Sequence, residues 1–349
     1  MKPRVAINKN DAVFKHSEMW TDGWIQYCEK NEIPFELVDG YRYNIIEKLR
    51  EFDILVWHPQ NFVLSDMLEA RSILSSAQKL GLKVFPDYNT SWHFDDKIAE
   101  TYLLQSVNAP LPKSWMFYLL PECITWLNEE AVFPLVAKLK SGSGSNNVRL
   151  LKCKKQAIRY AKRMFLRGFK PSPSMIFKAK SKLQSSPDWK TAKSRLRRIP
   201  EFLRTLSRAR MLPKEKGYVF FQEFIPNDGY DLKIVVIGNK VSGFARKTRK
   251  GDFRASGGGD LIYNNGLINK DIRDIAFRLC DKLKFQCMGF DFVVDNNTGK
   301  EYIVEMSFGF SQGALLNVDG YWDRDGILYA EPMNAPEEIL KNILGTVSK

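Results

Sequence analysis

The sequence predicts a mixed fold, with a parallel α/β domain at the N-terminus and an α+β region built on antiparallel sheets after it. Through about residue 95, short apolar runs alternate with helix-like segments, which is typical of parallel strands joined by helices. From Tyr218 onward strand-like runs predominate, and one helix-like stretch separates two strand groups. Within the last group, residues 289–309 contain two extended runs around the turn-rich DNNTGK, which predicts a β-hairpin.

The four predicted strands of the N-terminal part are short and apolar, as expected for the buried strands of a parallel sheet. They are RVAIN, FELVD, DILVW and LKVFP in chain order. Helix-like stretches separate them, around Trp20 and Trp24, over residues 44–51 and over residues 65–80. We expect Ser65 to cap the third helix at its N-terminus and Gly81 at its C-terminus. No GxGxxG follows the first strand, so dinucleotide binding is not supported.

Residues 96–107 and 121–129 have the pattern of helices, and the strand-like run FPLVAKLK follows them. Next comes SGSGS at 141–145, a glycine-rich turn before a second strand, NNVRLLK. Glycines let backbone N–H groups approach a phosphate closely, and Lys138 on the preceding strand can pair with one. No GK[ST] opens a helix here, so this is not a Walker A loop. The simpler alternative is a flexible hairpin tip.

The net charge of +13 is concentrated in one segment. Residues 149–216 contain 22 Lys and Arg against three acidic residues, a net charge of +19, which leaves −6 for the rest of the chain. Leucine and isoleucine recur there at roughly helical spacing among arginines, which predicts a basic amphipathic helix. Such a helix suits an anionic partner, whether nucleic acid, anionic lipid or an acidic polymer. The alternative is a solvated face that contributes solubility.

The strand-rich part contains one segment that can contact a ligand and, further along, one predicted turn. The run FFQEFI ends at Pro226, and backbone at such a strand end can offer an N–H and a C=O to an adenine edge between apolar neighbours. Asp231 lies just beyond and can reach a ribose hydroxyl. The alternative is an ordinary strand end with a solvent-facing acid. Further on, the dipeptide Gly238-Asn239 predicts a two-residue hairpin turn.

A cluster of cations occupies residues 245–260, and a strand cannot bury so many unpaired. The five are Arg246, Lys247, Arg249, Lys250 and Arg254. Either they are solvated or some of them face an anion. Arg254 is followed closely by a triple glycine, which permits an unusual backbone shape, and the planar arginine fork suits bidentate contact with carboxylate or phosphate. We therefore expect Arg254 to bind an anion.

In the predicted hairpin, a turn centred near Thr298 sets Asp291 opposite Glu305. Period-2 alternation then places both acids and Ser307 on one face. The expected core-facing set is Phe292, Val294, Tyr302, Val304 and Met306. Like charges opposite each other are destabilising, and a divalent cation such as Mg²⁺, which prefers carboxylate oxygens, removes the repulsion. The alternative is a pair of solvated carboxylates on an exposed sheet face.

Composition argues against several function classes. The five cysteines lack CxxC spacing and the three histidines are not paired at ligand spacing, so zinc sites, disulfide frameworks and Ser–His catalysis are not expected. No run of 18 apolar residues predicts a transmembrane helix, and the first residues lack the apolar core of a signal peptide. We expect a cytoplasmic protein, with a peripheral position at the inner membrane face as an alternative.

Taken in order, these motifs resemble the ATP-grasp superfamily, especially the ribosomal-protein glutamate ligase and glutathione synthetase type. The series is DDKI at 95–98, VAKLKSGSGS, QEFI with a later Asp, KGDFRASGGG, and GFDF followed by YIVEMS. The resemblance covers roughly residues 94–313. It implies a two-lobed ATP-grasp fold with antiparallel sheets, preceded by a pre-ATP-grasp α/β domain. The implied domains are 1–95, an N-lobe at 96–216 with the phosphate flap and a basic insert at about 163–215, and a C-lobe at 217–349.

The resemblance also assigns roles to positions of this chain. The implied ATP-binding residues are Lys97, Lys138, Ser143, Gly144, Ser145, Gln222, Glu223, Phe224, Ile225, Asp231 and Ser256. The implied catalytic residues are Lys138 and Arg254, and the implied substrate-binding residues are Arg246, Arg249 and Arg254. The implied metal ligands are Asp291, Glu305 and Ser307. Relatives usually carry Asn at the last of these positions, and a hydroxyl is a weaker Mg²⁺ ligand than an amide oxygen, so Asn317 is an alternative ligand.

The reaction implied by the resemblance is ATP-dependent ligation of a carboxylate to an amine or thiol through an acyl phosphate. The expected cofactors are ATP and Mg²⁺, with Mn²⁺ as an alternative metal. The basic segment suggests an acidic acceptor, first a uronic acid or other acidic glycan of surface-polysaccharide synthesis, then a peptide or protein C-terminus. Alternatives are a phosphotransferase acting on a hydroxyl and, as the least expected, a nucleic-acid-binding protein with a relic ATP site. The sequence leaves an oligomer open.

Overall fold

The described part of this protein, in a computed structural model, is built on one parallel and two antiparallel β-sheets. The structure describes residues 2–9, 15–60, 66–142, 147–171, 213–248, 252–254 and 260–347. We number the sheets first, second and third in chain order. The second and third sheets face each other, and the space between them holds the site described below.

The first sheet is parallel, with the strand order β2-β1-β3-β4. Its strands are β1 (Val5–Asn8), β2 (Phe35–Val38), β3 (Ile54–Val56) and β4 (Lys83–Phe85). The helices between them are α1 (Lys15–Lys30), α2 (Ile45–Leu49) and α3 (Arg71–Lys79), the last preceded by a π-helical turn, Asp66–Ala70. These elements confirm the predicted alternation. Gly81 follows α3 with a φ of +99°, as a glycine C-cap requires, whereas Ser65 lies outside the described residues.

The second sheet is antiparallel, with the order β5-β8-β6-β7. Its strands are β5 (Ser114–Phe117), β6 (Leu135–Lys138), β7 (Val148–Leu151) and β8 (Val219–Glu223). Its helices are α4 (Tyr88–Ser91) and α5 (Lys97–Ser106), which precede it, and α6 (Leu120–Glu129) and α7 (Lys154–Leu166), which cover one face. On that face Phe221 packs against Trp126 and Tyr160. Strand alternation turns Lys138 and Gln222 to the opposite face.

The third sheet has the strand order β13-β12-β9-β10-β14-β15, with β11 paired to β10. Its strands are β9 (Tyr230–Ile237), β10 (Lys240–Lys247), β11 (Leu261–Ile262), β12 (Cys287–Val294), β13 (Glu301–Ser307), β14 (Tyr321–Trp322) and β15 (Leu328–Tyr329). Its helices are a 3₁₀ turn (Asn265–Leu267), α8 (Lys270–Leu283), α9 (Gln312–Leu315) and α10 (Ala335–Val347). Ile237 pairs with Lys240, and Gly238 has a φ of +56°, which confirms the predicted two-residue turn.

The first and third sheets share one hydrophobic core, whereas the second sheet has a core of its own. In the shared core, Val5 and Phe85 of the first sheet belong to the same cluster as Ile234 and Phe290 of the third. A hydrogen bond from Gln286 to the Val84 carbonyl, 2.7 Å, ties the two together. The second sheet is therefore the separate body, and a ligand can lie between it and the third sheet.

The observed elements confirm the predicted parallel α/β segment and the antiparallel sheets that follow it. The division into domains at residues 95 and 216 stays a prediction. Most of the predicted basic insert, residues 172–212, lies outside the described residues. Within the described ranges, no helix has the length and apolar character needed to cross a membrane.

Candidate active site

A pocket opens between the second and third sheets, where β6, β7 and β8 face β9, β12 and β13. Its volume is about 710 Å³, including the part that is open to solvent. Among the residues that line it are Lys138, Gln222, Glu223, Phe224, Ile225, Asp231, Arg254, Asp291 and Glu305. The pocket therefore brings together most of the described residues that were predicted from the sequence to have a role.

One part of this pocket is apolar. Val136 and Val148 come from the second sheet, Phe224 and Ile225 follow the end of β8, and Val293 comes from the third sheet. The last pairing of β8 is the hydrogen bond from the Glu223 N–H to the Lys113 carbonyl, 2.8 Å. A mostly apolar wall with a few polar groups is the usual composition of a small-molecule site.

The hairpin of β12 and β13 has the predicted register at its acids, because Asp291 pairs with Glu305. A β-bulge follows directly and leaves Val304 as the extra residue of β13. A one-residue shift turns the neighbouring side chains to the other face. The predicted core positions of Tyr302 and Val304 are therefore wrong. Ile303 is fully buried in their place, while Val304 lines the pocket.

Three buried charged residues and one half-buried arginine, on β9, β10 and β12, form what we call the Asp291 cluster: Asp231, Lys233, Asp291 and Arg246. Arg246 donates to both carboxylate oxygens of Asp231, at 2.7 and 2.8 Å. Its Nη2 also lies 2.7 Å from Asp291 Oδ2, and Lys233 Nζ contacts Asp291 Oδ1. Burial alone would raise the pKa of Asp291, but Arg246 and Lys233 outweigh that effect and lower it. The cluster is formally neutral.

Four further residues form what we call the Glu305 cluster: Lys97, Glu100, Lys138 and Glu305. Lys97 Nζ lies 3.3 Å from Glu305 Oε1. Glu100 accepts a hydrogen bond of 3.4 Å from the backbone N–H of Met306, the residue after Glu305. Lys138 Nζ donates to the Val304 carbonyl at 2.8 Å, and no carboxylate of the described residues lies within ion-pair distance of it. Lys138 is thus a buried cation without a close anionic partner in the described part of the chain.

The pKa values of the two lysines of the Glu305 cluster shift in opposite directions. Burial lowers the pKa of Lys138 to about 8, since the attraction of Glu305 does not compensate for burial and for the repulsion of Lys97. Burial would also lower the pKa of Lys97, but Glu305, Asp95 and Glu100 raise it above its usual value. Burial, followed by the charge of Glu305, raises the pKa of Glu100 well above normal. The site therefore keeps Lys97 charged and leaves Lys138 able to lose its proton near neutral pH.

Arg254 lies on the pocket wall, as predicted for an anion-binding residue. Its guanidinium is bound by Asp252, with Nε at 2.9 Å from one carboxylate oxygen and Nη2 at 2.7 Å from the other. Its Nη1 lies 3.5 Å from the Val148 carbonyl, which belongs to the second sheet. Arg254 therefore reaches across the pocket.

Several predicted site residues lie outside the described residues: Ser143, Gly144, Ser145, Arg249 and Ser256. Ser307 is described, and its hydroxyl accepts a hydrogen bond of 3.0 Å from the Gly309 N–H. Asn317 is exposed beyond α9 and donates to the Gly313 carbonyl. Neither of these two is among the residues that line the pocket, so their roles as metal ligands remain predictions.

Sequence reasoning missed Lys233 and Glu100. A signal for Lys233 existed, because it follows Asp231 at the spacing that puts both side chains on one face of a strand. Its partner Asp291 lies directly across the β9–β12 ladder. Glu100 had a weaker signal, since it is an acidic residue in the first turn of α5, where acids are common for helix stability alone. Only the tertiary fold brings it next to Glu305.

The residues present fit a magnesium–nucleotide complex. Among the described residues, no group of three or more His, Cys, Asp and Glu side chains is arranged to hold a metal ion. Mg²⁺, however, commonly takes only one or two carboxylates from the protein and the rest of its ligands from phosphates and water. Asp291 and Glu305 line the same pocket as Lys138, beside an apolar wall of the kind that suits a nucleobase. Asp291 is engaged by two cations, so it would have to exchange partners.

Comparison with known families agrees with this arrangement. Residues 203–311 match the RimK-like ATP-grasp domain family. No curated protein has a sequence that matches the chain significantly.

Solved structures resemble the chain over nearly its whole length. A RimK domain ATP-grasp protein from Sphaerobacter thermophilus has a TM-score of 0.54 at 14% identity, covering 98% of this chain and 100% of its own. A D-alanine–D-alanine ligase from Bacillus anthracis complexed with ATP has a TM-score of 0.56 at 12% identity, covering 99% and 97%. The ATP-grasp ligase PsnB, complexed with a variant of its minimal precursor, Mg and ADP, has a TM-score of 0.57 at 13% identity, covering 99% and 98%. The chain therefore has the ATP-grasp fold over nearly its whole length, and its residues 203–311 resemble the RimK-like ATP-grasp domain.

Proposed function

We propose that this protein is an ATP-dependent ligase that joins a carboxylate to an amine through an acyl phosphate. One observation carries the proposal. Lys138, Arg254, Asp291 and Glu305 line a single pocket, beside an apolar wall, in an ATP-grasp fold. Such a set combines two carboxylates for a divalent metal with two cations for phosphates, which is what phosphoryl transfer from a nucleotide requires.

Each part of the pocket has a task in this proposal. The apolar wall around Ile225 and Val148 would hold the adenine ring, and Asp231 would lie toward the ribose. Asp291 and Glu305 would hold Mg²⁺, which when bound neutralises charge on the phosphates. Lys138, buried and without a close carboxylate among the described residues, would gain the anionic partner that it lacks. Binding a phosphate would then restore its charged form.

The protein mainly positions groups and stabilises charge in the proposed reaction. An oxygen of the substrate carboxylate attacks the γ-phosphorus, and the bond between that phosphorus and the β,γ-bridging oxygen breaks, which releases ADP. The amine nitrogen then attacks the carbonyl carbon of the acyl phosphate. The carbon–nitrogen bond forms, the amine loses a proton and inorganic phosphate leaves. Arg254 lies on the pocket wall beside the Val148 carbonyl of the second sheet. There it would face the transferred phosphoryl group.

The test is ADP release from the purified protein with ATP and Mg²⁺ against a matrix of carboxylates and amines, followed by mass detection of the adduct. The expected result is an adduct that has lost one water relative to its two substrates, formed with one ADP. An Asp291→Asn variant is the negative control. A phosphorylated product without an amide would identify a phosphotransferase instead. Failure to bind any adenine nucleotide with Mg²⁺ would reject both.

For the acceptor, we propose a carboxylate within a large acidic molecule, of which a uronic acid in a glycan is our leading case. The support is electrostatic. Residues 149–170 contain nine Lys and Arg and no Asp or Glu. On α7 and its flanks the exposed cations include Lys155, Arg159 and Lys162, at spacings that place them on one helix face. A surface of this kind raises the local concentration of an anionic partner.

Charge reversal on this face tests the acceptor proposal. The substitutions Lys155→Glu, Arg159→Glu and Lys162→Glu together should raise the KM of an acidic acceptor at low salt and leave its kcat unchanged. The difference should fade at high ionic strength, because exposed charges are screened. The matched control reverses three exposed lysines elsewhere: Lys30, Lys79 and Lys341. Equal KM values for the two variants at low salt would reject electrostatic docking on α7.

A further inference from the structure

The Asp291 cluster and the Glu305 cluster offer very different carboxylates to a metal ion. Asp291 is contacted on one oxygen by Lys233 and on the other by Arg246, and its side chain is 5% exposed. Among the described residues Glu305 has one ion-pair partner, Lys97 at 3.3 Å, and its side chain is 23% exposed. A metal that enters the pocket alone therefore meets one accessible carboxylate and one that is already neutralised.

We infer that Lys233 and Arg246 are counterions that hold Asp291 until a nucleotide brings its phosphates, and that they make metal binding at Asp291 depend on the nucleotide. This inference rests on the proposed function. It assigns to Lys233 a positioning role that neither the sequence motifs nor the predicted site included. In the occupied site, the phosphates take over as the anionic partners of the two cations, and Asp291 turns to the metal.

Electrostatics supports this exchange. The four charges of the Asp291 cluster balance, so a divalent cation added alone would place its charge next to two buried cations in a region of low dielectric. A nucleotide brings several negative charges with it and removes that conflict. Lys233 Nζ already lies in contact with Asp291 Oδ1. A metal at that oxygen therefore has to displace the ammonium, and the phosphates of a nucleotide would attract the ammonium away.

The geometry of the third sheet fixes this arrangement. Lys233 lies directly opposite Asp291 on the β9–β12 ladder, and Arg246 lies opposite Asp231 on the β9–β10 ladder. The stem of Lys233 also passes over Gly289, where an added Cβ would lie 3.3 Å from Lys233 Cδ. Because Gly289 has no side chain, the stem of Lys233 has the room it needs to lie across β12 and place its ammonium beside Asp291.

The test measures binding of Mn²⁺ alone, without nucleotide, by titration calorimetry and by the paramagnetic signal of the free ion. We expect the wild-type protein to bind Mn²⁺ weakly. We expect Lys233→Met, which keeps the side-chain volume but removes the charge, to bind it at least about tenfold more tightly, which corresponds to ~1.4 kcal/mol. Arg246→Gln should shift the Mn²⁺ affinity in the same direction. The matched control is Lys240→Met at the start of β10, whose ion pair is with Glu338 of α10.

The outcomes separate this inference from the proposed function. Unchanged or weaker Mn²⁺ binding in a folded Lys233→Met protein would overturn the inference, and so would tight Mn²⁺ binding by the wild type alone. Because Arg246→Gln removes a buried charge and can fail to fold, Lys233→Met carries the test, with thermal unfolding as the check of its fold. Binding of ADP with Mn²⁺ to the wild type is measured separately. Its absence would reject the proposed function, whereas the nucleotide-free titration does not depend on it.

Discussion

The Asp291 cluster and the Glu305 cluster face the same pocket, but they treat buried charge in opposite ways. In the Asp291 cluster two cations and two carboxylates lie on adjacent strands and satisfy one another. In the Glu305 cluster, Lys138 is buried, and the described part of the chain offers it one carbonyl as a hydrogen-bond acceptor and no carboxylate within ion-pair distance. The first cluster is complete without a ligand. The second becomes complete when an anion arrives.

This difference separates stability from function within one site. A complete ion-pair network resists the loss of any member, because a lone buried charge is costly. In an incomplete network the folded protein already bears the free-energy cost of a buried, unpaired charge, and a bound anion removes that cost. Perturbed lysines of this kind concentrate at functional sites. We therefore expect substitutions in the two clusters to change the free energy of unfolding in opposite directions.

The largest expected effect is that of Arg246→Met. Two carboxylates, Asp231 and Asp291, lose their shared cation, so the free energy of unfolding should fall by about 3–5 kcal/mol. Urea unfolding followed by circular dichroism measures it. The control is Arg324→Met, whose ion pair with Asp281 is largely exposed and should contribute at most about 1 kcal/mol. Similar losses in the two variants would show that the Asp291 cluster is not a cooperative network.

Glu305→Gln should remove most ATP turnover. We expect a loss of about 10²–10³-fold, because one preorganised charge in such a site typically contributes ~3–4 kcal/mol to the barrier. ADP release at saturating ATP and Mg²⁺ measures it. Glu301→Gln on the same strand is the control, because Glu301 lies at the other end of β13 and accepts a hydrogen bond from Asn269. Near-normal turnover in the Glu305 variant would remove Glu305 from the proposed site.

Lys138→Met should stabilise the fold while it weakens ATP binding. In the folded protein the pKa of Lys138 is about 8, below the usual 10.5. The unfolded chain therefore holds more protons between these two values, and the stability of the wild type rises with pH across that window. Below pH 8 the charged form costs up to ~3 kcal/mol, which the variant no longer bears. Thermal unfolding at pH 7 and pH 10 tests this, and a variant less stable than the wild type at pH 7 would contradict it.

The sequence predicted the parts of this site that local pattern determines. The Asp291–Glu305 pairing follows from one short turn and the period of a strand, and so does the turn at Gly238. The bulge at Val304 could not be predicted in this way. Pattern alone does not reveal an extra residue in a strand, and the shift exchanged the faces of Ile303 and Val304.

The ion pairs could not be predicted from the sequence, because they join residues that are far apart in the chain. Lys97 and Glu305 are brought together from α5 and β13, and Lys233 meets Asp291 only after β9 and β12 have paired. Sequence spacing says nothing about which strands become neighbours in an antiparallel sheet. The motifs therefore indicated which residues have chemical roles. The tertiary fold determined which cation neutralises which acid.

The smallest expected effect concerns pH and distinguishes the two clusters in the wild-type protein. Because phosphate binding needs the charged form of Lys138, whose pKa is about 8, ATP affinity should fall about tenfold between pH 7 and pH 9. Lys138→Arg, which stays charged over this range, should bind ATP with nearly constant affinity. Calorimetric titration of both proteins with a nonhydrolysable ATP analogue and Mg²⁺ measures this. A fall in affinity of the same size in the arginine variant would show that another residue titrates. Lys138 would then not be the cation that gains a partner when ATP binds, and the contrast with the paired cations of the Asp291 cluster would be lost.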